Sequence, residues 1–433
     1  MKLIKALAVK GRVDLPGDKS ISHRSVLFGS LASGRTSISN FASSADCAST
    51  MACMQKLGVA IERDGSDVII DGVGLRGFSQ PDGELDCGNS GTTMRLLSGV
   101  LAGQPFRSVM TGDESLSGRP MQRVIDPLVE MGAAISSIDG HAPLTIDGTN
   151  LLKSLTYTPP KASAQLKSCV LLAGLNADGT TTVIEATPTR DHTERMLELF
   201  KADISITEQD GARHISVKGG KELTPSNIIV PGDISASAFF IVAAAALSGS
   251  EVVMPNVGIN PTRSAVIDVM KALGADIAVT DSGEKTGEPI GEFAVKGGIV
   301  REDSSKPFLI SGSIIANLID ELPVIAVCGT QVAGGIEIRE ASELRVKECD
   351  RIDAVVKNLR LMGADVEEFE DGMLVKPSKL RGAKLESYGD HRIAMAFGIA
   401  SLFAEGETEI IGPECVDVSF PGFFEVLESV AVR

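Results

Sequence analysis

The chain has 433 residues, of which 43% are hydrophobic and 23% charged, and its formal net charge is −16. A length beyond roughly 300 residues predicts at least two domains, and the ordinary balance of apolar and charged residues excludes general disorder. The negative charge and an aromatic content of only 4% disfavour nucleic acid as a partner.

Short apolar runs and scattered cysteines limit the class of protein further. The longest uninterrupted apolar run, 238–247, is too short to cross a bilayer, which takes about 20 residues. Lys2, Lys5 and Lys10 interrupt the first apolar residues, so we predict no secretory signal and expect a cytoplasmic protein. The seven cysteines and five histidines form no CxxC or HxxxH pair, which predicts reduced thiols and no metal site.

The predicted elements follow a repeat with a period near seventy residues. Its recurring part is a helix that ends in a break and continues into a strand pair, with copies that start at Met51, Val124, Met196, Val266 and Val355. The breaks, separated by 74, 69, 73 and 89 residues, are Gly58, Gly132, Lys201, Gly274 and Gly363. A glycine-rich insertion, 281–292, accounts for the longest interval, and a truncated sixth copy is predicted to end near Leu427.

A second, more apolar helix precedes each copy and leads through a glycine into a short strand. Helices that are apolar on every face must be buried on nearly every side. The predicted unit is therefore strand, helix, strand, helix, strand, strand, repeated six times. Each unit is too complex for a simple solenoid, and six such units make too few contacts for a propeller. We therefore expect an α/β protein with two domains of three units each. The turn-rich stretch 219–233 is the predicted boundary between the domains.

Polar and charged residues that break this pattern collect at the predicted helix starts. Helix N-termini present unpaired N–H groups and a partial positive charge, so several converging helix starts predict an anion site. Eight cations accompany them: Lys19, Arg24, Arg95, Arg119, Arg190, Lys347, Arg351 and Arg392. This array suits ligands that carry several carboxylate and phosphate charges.

Each segment is also compatible with a role that involves no ligand. Lys19 and Arg24 fit a solvated first turn, 88–92 fits a plain turn and helix cap, and 347–351 fits a ladder of salt bridges. Their joint occurrence at corresponding points of one repeat favours the functional interpretation.

Several motifs together resemble the EPSP synthase (3-phosphoshikimate 1-carboxyvinyltransferase) family of enolpyruvyl transferases over essentially the whole chain. These motifs are DKSISHR from Asp18, GNSGTTMR from Gly88, DESLSGRPM from Asp113, SAQLKS from Ser163, RVKECDRI from Arg345, YGDHRIAMA from Tyr388 and SFPGFFEVL from Ser419. The resemblance implies a two-domain inside-out α/β barrel of six βαβαββ units, three per domain. Residues 19–231 would form one domain, and 1–18 with 232–433 the other.

The resemblance also implies a reaction. The enolpyruvyl group of phosphoenolpyruvate would pass to the 5-hydroxyl of shikimate 3-phosphate with release of phosphate, without a metal or an organic cofactor. Asp320 would be the base for the hydroxyl, and Lys19 and Glu348 the proton-transfer partners. We expect the protein to act as a monomer, with these two small molecules as its partners.

Two substrate sites follow from the same resemblance. The implied phosphoenolpyruvate site consists of Lys19, Gly91, Arg119, Gln165, Arg351 and Arg392. The implied shikimate 3-phosphate site consists of Lys19, Ser20, Arg24, Ser163, Gln165, Asp320 and Lys347. We add Arg190, because it is predicted to begin an outer helix, where a cation can meet a phosphate beside the positive end of the helix dipole. The chain departs from many family members at Ala164, where they have serine, and near Val418, where they have a lysine that would add a cation.

Two other functions remain alternatives. The sister transferase that acts on UDP-N-acetylglucosamine shares the fold but typically carries a reactive cysteine in the loop before the Arg-Pro pair, and 112–120 contains none. A noncatalytic anion-binding module would keep the cations without needing Asp320 and Glu348, and both carboxylates are present.

Overall fold

The computed structural model describes residues 1–301 and 303–433, which form two compact units. The terminal unit, named for the chain ends it contains, comprises Met1–Pro16, Pro231–Gly283 and Pro289–Arg433. The middle unit comprises Gly17–Val230 and Glu284–Glu288. From sequence, the boundaries are expected at 18/19 and 231/232, and nothing in the sequence indicates that Glu284–Glu288 groups with the middle unit.

The helices lie where the sequence predicts the inner and outer helices of the repeat. In chain order they are α1 Lys19–Leu31, α2 Ala45–Lys56, α3 Gly91–Ala102, α4 Glu114–Ser117, α5 Gln122–Glu130, α6 Ala164–Gly174, α7 His192–Leu199, α8 Ile234–Ala246, α9 Ala265–Ala272, α10 Ile314–Leu318, α11 Leu322–Gly329, α12 Arg351–Leu361, α13 His391–Ser401 and α14 Phe423–Val430. Two 3-10 turns are Ser342–Val346 and Pro413–Val418. Within the described chain, no helix combines the length and the apolar character that a membrane crossing requires.

The strands are short and separate the helices along the chain. They are β1 Lys2–Ile4, β2 Ala8–Arg12, β3 Ser33–Ser39, β4 Ala60–Asp64, β5 Asp67–Val73, β6 Leu85–Asp86, β7 Arg107–Thr111, β8 Ala134–Ile138, β9 His141–Asp147, β10 Thr156–Tyr157, β11 Thr180–Glu185, β12 Asp203–Gln209, β13 Ala212–Lys218, β14 Ile228–Ile229, β15 Glu251–Gly258, β16 Asp276–Lys285, β17 Glu288–Lys296, β18 Phe308–Ile310, β19 Ile336–Ile338, β20 Val366–Phe369, β21 Gly372–Val375, β22 Lys384–Glu386, β23 Glu407–Ile411 and β24 Ala431–Val432. The predicted insertion 281–292 falls in the hairpin that β16 and β17 form.

The middle unit contains three four-stranded sheets with one common plan. Their strand orders are β14-β3-β5-β4, β6-β7-β9-β8 and β10-β11-β13-β12. In each sheet the first pair is parallel, and the other two pairs are antiparallel. This is the predicted strand, helix, strand, helix, strand, strand unit, with the difference that β14 supplies the first sheet's parallel strand from the far end of the unit.

The terminal unit repeats the plan with modifications at the chain ends. Its sheets have the orders β16-β17-β15-β2-β24, β18-β19-β21-β20 and β1-β23-β22. The sixth copy is truncated as predicted, because α14 is followed only by the two-residue β24. β1, from the start of the chain, pairs antiparallel with β23 and completes that sheet. The predicted α/β fold with six repeated units is confirmed.

The inner helices are buried, as their apolar sequences predict. In α8 every residue from Ile234 to Ala245 is buried, and in α13 every residue is buried. α3 and α6 approach closely at Gly99, where a Cβ would lie 2.2 Å from the carbonyl oxygen of Cys169. Each unit has its own hydrophobic core. The charged residues of these helices lie in their first two turns, and those helix starts carry the predicted site residues.

The five predicted breaks share one backbone conformation. Their φ angles are positive, at 92° for Gly58, 107° for Gly132, 61° for Lys201, 93° for Gly274 and 83° for Gly363. After α2, for example, the N–H of Gly58 donates to the carbonyl of Gln55 at 3.0 Å and that of Val59 to Met54 at 3.1 Å. These left-handed residues satisfy the last carbonyls of the helix and turn the chain into the following hairpin.

Lys201 carries a side chain where the other four breaks have glycine. We expect Lys201→Gly to raise the free energy of unfolding of the middle unit by roughly 0.5–1 kcal/mol, because a Cβ in the left-handed region is unfavourable and glycine's flexibility in the unfolded chain offsets only part of the gain. Urea denaturation measures the change. Lys201→Ala keeps the Cβ and is the matched control, so equal stability of the two variants would contradict this explanation.

Candidate active site

Side-chain caps fix the helix starts of the middle unit that carry predicted site residues. The carboxylate of Asp18 accepts the N–H of Ile21 at 2.9 Å, so α1 begins at Lys19. The hydroxyl of Ser90 accepts the N–H of Thr93, so α3 begins at Gly91. The hydroxyl of Ser163 likewise accepts the N–H of Leu166 at the start of α6. Each cap leaves the first N–H groups of its helix directed outward from the helix end, the arrangement that binds anions.

Lys19 is held by a carboxylate that sequence reasoning missed. Its Nζ lies 3.0 Å from Oδ2 of Asp46, which is in the first turn of α2. Both side chains are mostly buried. The pairing offsets the cost of desolvating the ammonium and fixes its position at the start of α1.

Two guanidinium groups converge on Gly91. A Cβ at this position would lie 3.0 Å from Nη1 of Arg95 and 3.4 Å from Nη1 of Arg119. Arg119 donates to Oδ1 of Asn89 at 2.6 Å, and Arg95 donates to Oε1 of Gln165 at 2.6 Å. The structure thus brings together Gly91, Arg119 and Gln165, three residues of the predicted phosphoenolpyruvate site, and adds Arg95 as the link between them.

Arg24 is buried and bonded to three different elements. Its Nη1 donates to the carbonyl of Ser20 at 2.9 Å, its Nε to Oγ1 of Thr193 at 2.7 Å, and its Nη2 to Oγ of Ser168 at 2.9 Å. Burial lowers the pKa of Arg24 to about 10, although the negative charge of Glu194 raises it. The positive charge of Arg190 also lowers this pKa. Arg190 is therefore close enough for its charge to act on Arg24.

Arg190 does not begin a helix, contrary to the sequence-based expectation. α7 begins at His192, and Asp191 occupies its N-cap position. Arg190 therefore lies in the loop between β11 and α7. The helix begins only two residues after Arg190, so the arginine still lies beside the positive end of the helix dipole.

In the terminal unit, Arg351 collects three carboxylates. Its Nη2 lies 2.7 Å from Oε2 of Glu348, its Nε 2.7 Å from Oδ2 of Asp390, and its Nη1 3.5 Å from Oδ1 of Asp320. Burial lowers the pKa of Arg351, but the three carboxylates outweigh this effect and leave the pKa above its ordinary value. The predicted base, one predicted proton-transfer partner and one predicted phosphoenolpyruvate ligand thus form one cluster.

Lys347 is close enough for its charge to act on the same cluster. Burial, with a smaller contribution from the positive charge of Arg351, leaves the pKa of Lys347 below its ordinary value, although Glu343 and Asp320 raise it. Lys347 lies in the chain between the first 3-10 turn and α12, and its Nζ is 3.5 Å from Oε1 of Glu343 in that turn. An ammonium at this position favours ionised carboxylates around it.

Arg392 stands in the first turn of α13. Its backbone N–H donates to Oδ1 of Asp390 at 2.8 Å. Its side-chain Nε is buried, and in the part of the chain that the structure describes it has no hydrogen-bond partner. Arg392 thus lies at the same kind of aspartate-capped helix start as Lys19.

Sequence reasoning missed the partners that hold these cations. Asp390 both caps α13 and pairs with Arg351, and Asp46 and Asn89 hold Lys19 and Arg119. Asp390 had a detectable signal, because it precedes a helix as a polar cap residue. For Asp46 and Asn89 the sequence carries no such signal, because Asp46 lies 27 residues from Lys19 and Asn89 lies 30 residues from Arg119.

Comparison with known proteins places the chain in a family. A family model described as EPSP synthase (3-phosphoshikimate 1-carboxyvinyltransferase) matches residues 4–427. Relatives named 3-phosphoshikimate 1-carboxyvinyltransferase include those of Bacillus velezensis, 49% identical over 100% of both chains, and Salinibacter ruber, 49% identical over 99% of this chain and 98% of the relative. The 2.37 Å structure of EPSP synthase from Acinetobacter baumannii is 43% identical, covers 100% of this chain and 98% of its own, and superposes with a TM-score of 0.86. The chain belongs to the EPSP synthase family.

Proposed function

We propose that the protein is a transferase that moves the enolpyruvyl group of phosphoenolpyruvate to the 5-hydroxyl of shikimate 3-phosphate and releases phosphate. Full-length similarity to relatives named for this activity supports the proposal. The observation that carries it is the cluster in which Asp320 and Glu348 both lie on the guanidinium of Arg351. Asp390 is fully buried and pairs with the same guanidinium, whereas Asp320 and Glu348 keep 20% and 17% of their side chains exposed and could exchange protons with a substrate.

The cationic residues would serve substrate binding. Both substrates carry several negative charges, so their repulsion must be offset before the hydroxyl can approach the enol carbon. In the middle unit, Ser20, Arg24, Ser163, Gln165 and Arg190 would hold shikimate 3-phosphate, and Gly91, Arg119 and Gln165 phosphoenolpyruvate. In the terminal unit, Arg351 and Arg392 would bind phosphoenolpyruvate, and Lys347 shikimate 3-phosphate.

The carboxylates and Lys19 would move protons. Protonation of the methylene carbon of phosphoenolpyruvate gives an oxocarbenium-like centre, and Asp320 would accept the proton of the 5-hydroxyl as its oxygen attacks that centre. The resulting tetrahedral intermediate would lose a methyl proton and expel phosphate, which restores the double bond. Glu348 and Lys19 would supply and remove the proton on carbon. The proton that Asp320 accepts would leave with the phosphate, so the protein is regenerated and the carbon–oxygen bonds formed and broken all belong to the two substrates.

The sister activity on UDP-N-acetylglucosamine is not favoured. The loop 112–120, which contains α4, has no cysteine. Burial raises the pKa of Cys349, and the neighbouring Asp390 raises it further. For Cys87, a hydrogen bond with Cys53 and burial raise the pKa. Neither thiol is therefore activated as a nucleophile.

The first test is phosphate release by the purified protein. We expect release with phosphoenolpyruvate and shikimate 3-phosphate together, and none when either is omitted. UDP-N-acetylglucosamine in place of shikimate 3-phosphate should give no release, and fosfomycin should leave no covalent adduct by intact mass spectrometry. Turnover with the UDP-sugar, or a stoichiometric adduct, would assign the chain to the sister activity.

Asp320→Asn tests the proposed base. The amide keeps the shape of the side chain but cannot take the hydroxyl proton, so kcat should fall roughly 100-fold, a typical contribution of general base catalysis. Affinity for shikimate 3-phosphate, measured by calorimetry, should change much less. Asp365→Ala removes a surface carboxylate paired with Lys376 and is the matched control. Near-native kcat in Asp320→Asn would refute the assignment.

Arg190→Ala tests the proposed phosphate contact. Loss of one charge-assisted hydrogen bond should weaken shikimate 3-phosphate binding by about 1.5–3 kcal/mol, while the affinity for phosphoenolpyruvate changes little. Calorimetry with each substrate measures both effects. Arg35→Ala removes an exposed arginine of the same unit that pairs with Asp71, and it should leave both affinities unchanged. Equal affinities in Arg190→Ala and wild type would exclude the contact.

The monomeric state and the cytoplasm remain part of the proposal. Both substrates are small molecules, and the residues assigned to them all come from one chain. Size-exclusion chromatography with light scattering should give a mass near the 45.3 kDa of the single chain.

A further inference from the structure

A buried charge cluster lies on the elements of the middle unit that carry the proposed shikimate 3-phosphate residues. Lys167 is on α6, two residues after Gln165, and Glu194 is on α7, four residues after Arg190. Glu185 ends β11. The exposed fractions of the three side chains are 0%, 2% and 3% in that order, so none of them can contact a substrate directly.

The ammonium of Lys167 ties these elements together. Its Nζ donates to Oε1 of Glu194 at 2.7 Å and to Oε2 of Glu185 at 3.0 Å. The other oxygen of Glu185 accepts the hydroxyl of Thr189, the residue before Arg190. One buried cation therefore holds both the first turn of α7 and the loop that leads into it.

The same turn of α7 holds Arg24. Thr193, next to Glu194, accepts Nε of Arg24 at 2.7 Å, and its hydroxyl lies 2.7 Å from that of Ser168. Ser168 in turn accepts Nη2 of Arg24 and donates to the carbonyl of Ala164, beside Ser163. A shift of Glu194 would move Thr193 and remove a partner of Arg24.

Among the described residues, Lys167 is the cation that donates hydrogen bonds to both Glu194 and Glu185, whereas Arg24 acts on Glu194 through its charge alone. Burial raises the pKa of Glu194, and Lys167 is the cation that opposes this effect. Oε2 of Glu194 has no hydrogen-bond partner among the described residues. Without Lys167 two carboxylates would be buried side by side without a cation between them, which is strongly unfavourable unless the segment moves or binds a proton.

We propose that Lys167 is a positioning residue for shikimate 3-phosphate, which holds the first turn of α7 and the Thr189–Arg190 segment in the geometry that binding of the 3-phosphate requires. The inference rests on the proposed function and deepens it. Lys167 touches neither substrate, so its effect passes through Arg24 and Arg190. The hydrogen bonds of Lys167 lead to α7 and to the end of β11, which flank Arg190, and not to the loop that carries Arg119.

Two variants of the full-length protein test the proposal. Lys167→Met removes the ammonium and keeps the approximate length of the side chain. Glu194→Leu removes the contact with α7 but leaves Lys167 paired with Glu185, a balanced pair that should fold readily. In both, we expect the KM for shikimate 3-phosphate to rise about tenfold, as expected when a charged hydrogen-bonded contact is lost, with kcat and the KM for phosphoenolpyruvate within about twofold of wild type.

Gln104→Met is the matched control. It removes another fully buried polar side chain of the middle unit, whose Nε2 donates to the carbonyl of Leu75 at 2.9 Å. Its melting temperature should fall, while both KM values stay unchanged. This comparison separates a loss of stability from a loss of position, because only the Lys167 and Glu194 variants should affect the two substrates differently.

The two KM values distinguish a positioning role of Lys167 from a purely structural one. A selective rise in the KM for shikimate 3-phosphate, in either variant that folds, supports the inference. A rise smaller than about threefold, equal rises for both substrates, or failure of both variants to fold overturns it in favour of a purely structural cluster. Wild-type turnover is measured first, because its absence refutes the proposed function itself, whereas unchanged KM values in an active background refute the role of Lys167 alone.

Discussion

The cost of burying positive charge governs the candidate site. A guanidinium or ammonium taken out of water needs partners, and an anion-binding site needs several such cations close together. The chain supplies partners from its surplus of acidic residues: Arg351 lies among three carboxylates, Lys19 contacts Asp46, and Lys167 lies between two glutamates. The net charge of −16 is therefore compatible with polyanionic substrates, because carboxylates fix the cations in place.

The fold meets this requirement by concentrating polar groups at helix starts. Inner helices such as α8 are buried along nearly their whole length, so mid-helix polar side chains are serines that bond the preceding turn, as Ser98 does, and charged groups lie near the helix starts. The caps Asp18, Ser90, Ser163 and Asp390 each satisfy an N–H of the first turn and set where the next cation or glycine stands. Repetition of one unit then multiplies a single local arrangement into several helix starts with the same chemistry.

Local periodicity made much of the fold predictable from sequence. The breaks at Gly58, Gly132, Gly274 and Gly363 and the strand pairs after them depend on neighbouring residues, and even Lys201 was found because it fell at the expected interval. The pairing of the cations cannot be predicted from sequence, because Glu194 and Asp390 lie 27 and 39 residues from the cations they contact, and the sequence indicates Asp390 only as a helix cap. The grouping of Glu284–Glu288 with the middle unit escaped prediction for the same reason, since its contacts, such as that of Glu288 with His192, span 96 residues.

We propose that a few paired cations and capped helix starts bind the substrates. The most direct measurement is a crystal structure of the protein with bound shikimate 3-phosphate. We expect the 3-phosphate to lie within hydrogen-bonding distance of the Ser163 hydroxyl and the Arg190 guanidinium, with the Lys167–Glu194 contact intact. A 3-phosphate bound away from the starts of α6 and α7 would contradict it.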